Sequence, residues 1–444
     1  MKKMLYLFVL IMIVLNYSFP TFAQEPAHPK LNGIVCNKAG AYVAVGSNGI
    51  IIVSWDGESW SKCESNTTQT LNDIVWARNQ FVAVGNEGTI LASEDGVSWL
   101  KADSNTDSDI CSITCNGGQF VAVGSSGNVL ISTNGYEWTK TRMATMESLK
   151  SVRWLEDEFV AVGENMLILA SLDGVSWEVV MSDPNSELEF LDIARGKDRY
   201  VIVGNSLSVF TSDDRKVWAQ SEINRDTEGK GVQCLFGAIW DGNNFLAVGQ
   251  DGGIFQSGDG LIWEGCERIT KSELRGILKT QEGYYIVGNE GAIIKSHNGI
   301  DWKDLREITL DLGEPNIIIG QERQLKITLN YPYGAQLDIT DKASYDLEGN
   351  IVSINEKGLL KASGEGEAKI RVEYDRKLSK FPLTVSNTQL SDIQRDEGNL
   401  SNQGENQNPK TGDTAIKIII SIFVLLALIC AIAFYRKKVY KNTK

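Results

Sequence analysis

The side chains in this sequence that could do chemistry are mostly acids, and many of them recur. Asp56, Asp95, Asp173, Asp214 and Asp259 each stand four residues ahead of a Trp. Two facing carboxyl groups would support glycoside hydrolysis, with one acid and one base or nucleophile. The recurrence points first to another role. An Asp accepts from the backbone amide two residues on and the Gly behind it supplies positive φ, so the pair makes a tight hairpin. The other candidates are Cys36, Cys63, Cys111, Cys115, Cys234 and Cys266, with Cys430 in a terminal apolar run. Cys111 and Cys115 are four apart, but no second pair follows. His28 and His297 are the only histidines, so neither a zinc site nor a His-based triad is assembled. A Gly-x-Ser-x-Gly elbow, a phosphate loop and a His-Glu-x-x-His run are all missing. The sequence therefore assigns no catalytic residue, no cofactor and no metal.

The elements that carry these acids repeat seven times. Trp recurs at Trp60, Trp99, Trp138, Trp177, Trp218, Trp263 and Trp302. A Val-Gly pair ends at Gly46, Gly85, Gly124, Gly163, Gly204, Gly249 and Gly288. Both series step by 39, 39, 39, 41, 45 and 39 residues. A period near forty means a repeat architecture. Each repeat holds four short apolar runs rich in Val, Ile, Phe and Trp, which read as strands. Phe81-Val-Ala-Val is apolar on both faces, so its sheet must be covered on both sides. Stacking such sheets around a ring gives a β-propeller. A linear stack would need polar caps, and the end repeats look as apolar as the middle ones. The expected fold is all-β: a seven-bladed β-propeller over residues 24–307. The seven Trp are expected to be structural, each buried against its own blade. Cys36 and Cys115 share the repeat position of Trp76, Trp154 and Trp240, which predicts buried apolar fillers.

The hairpin Ser54-Trp-Asp56-Gly57-Glu-Ser-Trp60 and its copies resemble the Asp-box (BNR) repeat of sialidases and of the photosystem II assembly-factor propellers, in a form shortened by one residue between Asp and Gly. The resemblance covers about residues 31–307 and implies the fold more than an activity. Sialidases carry a Phe/Tyr-Arg-Ile-Pro motif. Pro is absent from residues 31–183 and 185–314, so that motif is not in the propeller.

The chain ends speak to location. Met1-Lys2-Lys3, an apolar run over residues 4–15 and the small residues near Ala23 predict a secretory signal peptide over residues 1–23. Residues 418–435 are apolar and are followed by Arg436-Lys437-Lys438, as expected of a membrane-spanning helix with a basic inner tail. Just ahead stands Asn408-Pro409-Lys410-Thr411-Gly412. This layout over residues 408–444 resembles a sortase cell-wall sorting signal. The resemblance implies cleavage between Thr411 and Gly412 and transfer of the Thr411 carboxyl to peptidoglycan. Asn408 in place of Leu is similar to signals read by class B sortases. Residues 387–407 are polar and predict a disordered tether.

Residues 308–386 break the period. Val352 to Ile370, with Gly366-Glu-Ala-Lys-Ile370, resembles bacterial Ig-like domains of group 2, and the length suits one small β-sandwich. The formal charge is −14, and without the signal and the tail beyond Thr411 it is −21. Such acidity argues against nucleic-acid binding. The expected protein is a monomeric, wall-anchored Gram-positive surface protein whose propeller binds a glycan or protein ligand without catalysis. A glycan-cleaving enzyme and an extracytoplasmic assembly factor are the competing classes. The binding face is expected where the inter-blade loops meet the loops between second and third strands. There a Gly of the turn, at Gly49, Gly88, Gly127, Gly252 and Gly291, becomes Met166 and Leu207. The two longest connections, 178–189 and 219–234, lie on that side, the second with Arg225, Asp226, Glu228 and Lys230. These six residues are the candidate ligand-binding set.

Overall fold

A computed structural model describes residues 29–141, 145–224, 231–314 and 316–387. The fold is all-β and propeller-like, as the period predicts. Seven antiparallel sheets follow one another among the described residues, from Leu31–Cys36 in the first to Lys303–Asp304 in the seventh. Within each, the strands pair in chain order. The sixth gains a fifth strand, Glu222–Ile223, which pairs in parallel with Ile262–Gly265. Among the described residues no helix is long and apolar enough to cross a membrane. The expected membrane span, like the signal peptide and Asn408 to Gly412, lies outside the described residues.

The second strands, such as Tyr42–Gly46 and Phe120–Gly124, are buried throughout. Their two apolar faces meet different neighbours. One cluster joins Val43 and Val53 of the first sheet to Phe81 and Trp99 of the second. Equivalent clusters fill the following gaps, and one joins Tyr285 and Val287 of the seventh sheet to Tyr42 and Ala44 of the first. The stack thus returns on itself. Trp60, Trp99, Trp138 and Trp263 are buried, whereas Trp177, Trp218 and Trp302 are half-buried. Trp99 fills the gap to the preceding sheet as well as packing on its own.

The recurring hairpins are built by hydrogen bonds. Asp56 Oδ1 accepts from the amides of Glu58 and Ser59 at 2.8 and 2.7 Å, and Ser54 Oγ accepts from the Gly57 amide at 2.8 Å. These amides hold the Asp56 carboxyl at about pKa 2. Asn134 and Asn298 do the same work without charge. In five repeats the indole N–H then donates to the carbonyl at the hairpin Gly position, as from Trp99 to Gly96 at 3.1 Å. The repeated acids are therefore turn formers.

Residues 307–386 form a second β unit with its own core around Ile317, Ile327, Leu360 and Ile370. Its longest strands, Gly366–Tyr374 and Lys377–Ser386, make a hairpin with Asp375 and Arg376 at the tip. It belongs to the same compact unit as the seven sheets, which runs to Val385.

Candidate functional site

The innermost strands surround a narrow channel of about 270 Å³. Each begins with the same irregularity. Pairing jumps from Leu31 to Gly33, from Leu71 to Asp73, and likewise in all seven sheets. The skipped residue is a β-bulge, which re-aims its side chain. The bulged residues are Asn32, Asn72, Cys111, Lys150, Leu191, Phe236 and Arg275, and all seven line the mouth of the channel in a cavity of about 560 Å³. Thus one column of the repeat, which has no packing duty in common, varies freely and faces one cavity.

The mouth is polar on one side. Asn32 Nδ2 donates to the Leu71 carbonyl at 2.8 Å, and Asn72 Nδ2 to Asn86 Oδ1 and the Ile110 carbonyl. Lys150 lies 2.7 Å from Glu164 and 3.7 Å from Glu189. Burial opposes its charge, but these carboxylates outweigh burial and raise its pKa. Burial pushes the Cys111 thiol up to about 11, so it stays protonated at neutral pH. On the other side Leu191 and Phe236 are half-buried and sit in none of the core clusters. The Arg275 guanidinium stacks 4.7 Å from the Phe236 ring centroid and pairs with Glu273 at 2.9 Å.

Deeper in, Asp73 and Asp192 bind the axis together. Asp73 Oδ2 accepts from Ser112 Oγ at 2.8 Å and from the Ile113 amide at 3.1 Å. Asp192 accepts from Ser151 Oγ at 2.7 Å and from the Ala238 amide at 3.0 Å. Arg153 reaches both acids, 3.5 Å from Asp73 and 3.0 Å from Asp192. The carboxylates thus satisfy inner-strand amides that have no partner strand on the axis side. Among the described residues no group of three or more His, Cys, Asp or Glu could hold a metal ion. All six described cysteines are free.

The residues expected from sequence fare differently. Arg225, Asp226, Glu228 and Lys230 lie outside the described residues. Met166 and Leu207 hold positive φ, 55° and 52°, where other repeats place Gly. Leu207 is only 4% exposed and packs in the core with Val232 and Phe255. Met166 is half-buried against its own cluster. The reason is local. A Cβ at Gly88 would run into the Thr106 carbonyl, and at Gly252 into that of Thr270. In the fourth and fifth repeats the connection to the next sheet is longer than in the others. The Met166 amide donates to the Leu188 carbonyl and the Leu207 amide to the Gln233 carbonyl, the same bonds that the Gly88 and Gly252 amides make to Ser108 and Ser272. The side chain replacing the Gly hydrogen then fills the space. Sequence reasoning missed the bulge column and the axial acids; only a column-by-column comparison of the inner strands would have singled them out. Trp76, Trp154 and Trp240 pack at a tilt against Phe81, Phe159 and Phe245, with ring centroids 4.4 to 4.6 Å apart, at the opposite end of the inner strands.

No family model and no curated protein matches the chain. Among solved structures it is similar to YCF48 bound to D1 peptide, with TM-score 0.51 and 18% identity over 61% of this chain and 94% of that one. It is similar also to YCF48 from Cyanidioschyzon merolae, with TM-score 0.50 and 15% identity over 61% and 96%. The WD40 β-propeller domain of Doa1 matches with TM-score 0.50 and 8% identity over 62% and 97%. At these identities the similarity establishes a propeller-like fold.

Proposed function

We propose that this chain is an exported, wall-anchored surface protein whose seven sheets are the blades of a non-catalytic binding propeller, followed by an Ig-like domain. The propeller takes an extended protein segment at the channel mouth. The observation that carries this reading is the bulge column, which aims seven unlike side chains at one cavity. Leu191 and Phe236 offer an apolar seat, and the side-chain oxygens of Asn32 and Asn72, whose Nδ2 groups are already bonded within the ring, stand opposite as acceptors for a peptide backbone. Rigid scaffolds commonly present binding groups in this way. A protein partner is also supported by the peptide held by YCF48, a propeller of similar fold.

The test is selection of peptides from a random library on purified residues 24–386. Phe236→Ala should weaken the selected peptides by about tenfold, the loss of one aromatic anchor. Val175→Thr, on a hairpin of the opposite face, should leave them unchanged. Selected peptides that bind the Phe236 variant as tightly as the parent would remove the mouth from consideration.

Anchoring rests on the basic, apolar and small-residue start and on the sequence from Asn408 to Lys444. Sortase and peptidoglycan are the partners it implies. With Thr411→Ala the protein should move from the wall fraction to membrane or medium. Unchanged wall attachment would contradict the sorting reading.

A further inference from the structure

Among the described residues no sheet combines strands from the two ends of the repeat array. The first sheet is built only from residues 31–63 and the seventh only from residues 274–304. The ring therefore has a seam where backbone continuity is lacking. What crosses it directly is side-chain packing, with Tyr42 on Tyr285 at 4.5 Å, a backbone bond from the Gly291 amide to the Pro29 carbonyl at 2.6 Å, a Tyr42–Thr280 hydroxyl contact at 3.5 Å, and an ion pair of Lys295 with Glu58 at 2.7 Å.

The second β unit touches both banks of that seam. On one bank its hairpin tip enters the connection between the sixth and seventh sheets. Asp375 accepts from Thr270 Oγ1 at 2.6 Å, the Lys271 amide at 2.5 Å and Ser272 Oγ at 2.8 Å. Arg306, 1% exposed, bridges Asp375 at 2.7 Å and Asp304 at 2.6 Å. Both tip residues hold positive φ, 50° at Asp375 and 65° at Arg376, a geometry for which hairpins ordinarily use Asn and Gly. On the other bank the loop Tyr331-Pro332-Tyr333 lies over the seam. The Trp60 amide of the first sheet donates to the Pro332 carbonyl at 3.2 Å. Tyr333 packs on the cluster that holds Ile52 and Trp60 of the first sheet with Tyr285 and Ile293 of the seventh. Gly291 of the seventh sheet, at φ 59°, lies so close under Tyr331 and Tyr333 that a Cβ would displace them.

We propose that the second β unit is a clasp across the seam, holding first and seventh sheets together in place of a shared strand. The inference does not depend on what the propeller binds. Opening at the seam is then a sub-global unfolding event with its own free energy, lower than that of the whole ring.

Amide hydrogen exchange of the full-length protein tests it. Tyr333→Ala should accelerate exchange at least tenfold in Leu31–Cys36 and Leu274–Thr280 and leave Leu149–Leu155, across the ring, unchanged. Asp375→Asn, which keeps the size of the tip, should act in the same direction with a smaller effect. Tyr333→Phe removes a hydroxyl without a hydrogen-bond partner and should change nothing. Unaltered seam exchange in both Tyr333→Ala and Asp375→Asn, or equal acceleration in all seven inner strands, would overturn the clasp.

Discussion

Replacing Trp99 by Ala will cost about 3–5 kcal/mol, the range for truncating a buried large aromatic. Trp99 is 5% exposed and its ring centroid lies 6.4 Å from that of Phe81. Its indole closes the hairpin through Gly96, and its ring fills the gap to Val43 and Val53 of the preceding sheet. Truncation therefore opens a cavity between two sheets and frees the hairpin that ends the second. The half-buried Trp177 makes the matching bond to Gly174 and provides the comparison. Its Ala variant will lose less. Chemical denaturation of both variants checks the order. A cost for Trp99→Ala below about 1 kcal/mol would mean that the recurring Trp is not a structural residue.

Arg153→Ala will destabilise the ring from its axis. Asp192 is 3% exposed, and its remaining partners are one hydroxyl and one amide. Removing the guanidinium leaves the two carboxylates without the cation that bridges them. Breaking a fully buried pair costs about 3–5 kcal/mol, but the Arg153 side chain is 35% exposed and water screens the site. The expected loss is about 2–3 kcal/mol. Arg153→Lys will recover only part of it, because an ammonium reaches one acid well and not two. Equal stability of the parent and the Ala variant would show that the axial network holds nothing together.

The fold was legible because packing and turn chemistry repeat. Phe81-Val-Ala-Val can be buried only between two neighbours, and Asp95-Gly96 can make only a tight turn. Both constraints return seven times in nearly the same letters. The candidate site was not legible for the opposite reason. A bulge leaves no residue signature, so Asn32, Lys150 and Phe236 look unrelated until pairing shows that they occupy one position. Degeneracy at Met166 and Leu207 points to the same end of the ring as the bulged residues, but Leu207 is buried in the core and Met166 is half-buried against its own cluster. The seam is invisible to periodicity altogether, since it depends on where strands are absent and on contacts between residues from 40 to 272 positions apart.

Binding at the channel mouth is tested most directly by a hydrogen-exchange footprint of the protein with and without a selected peptide. The account predicts slowed exchange in Leu149–Leu155, Phe190–Arg195 and Leu235–Trp240, with the hairpins around Asp95 and Asp173 on the opposite face unchanged. Protection confined to those hairpins, or to residues 307–386, would contradict it.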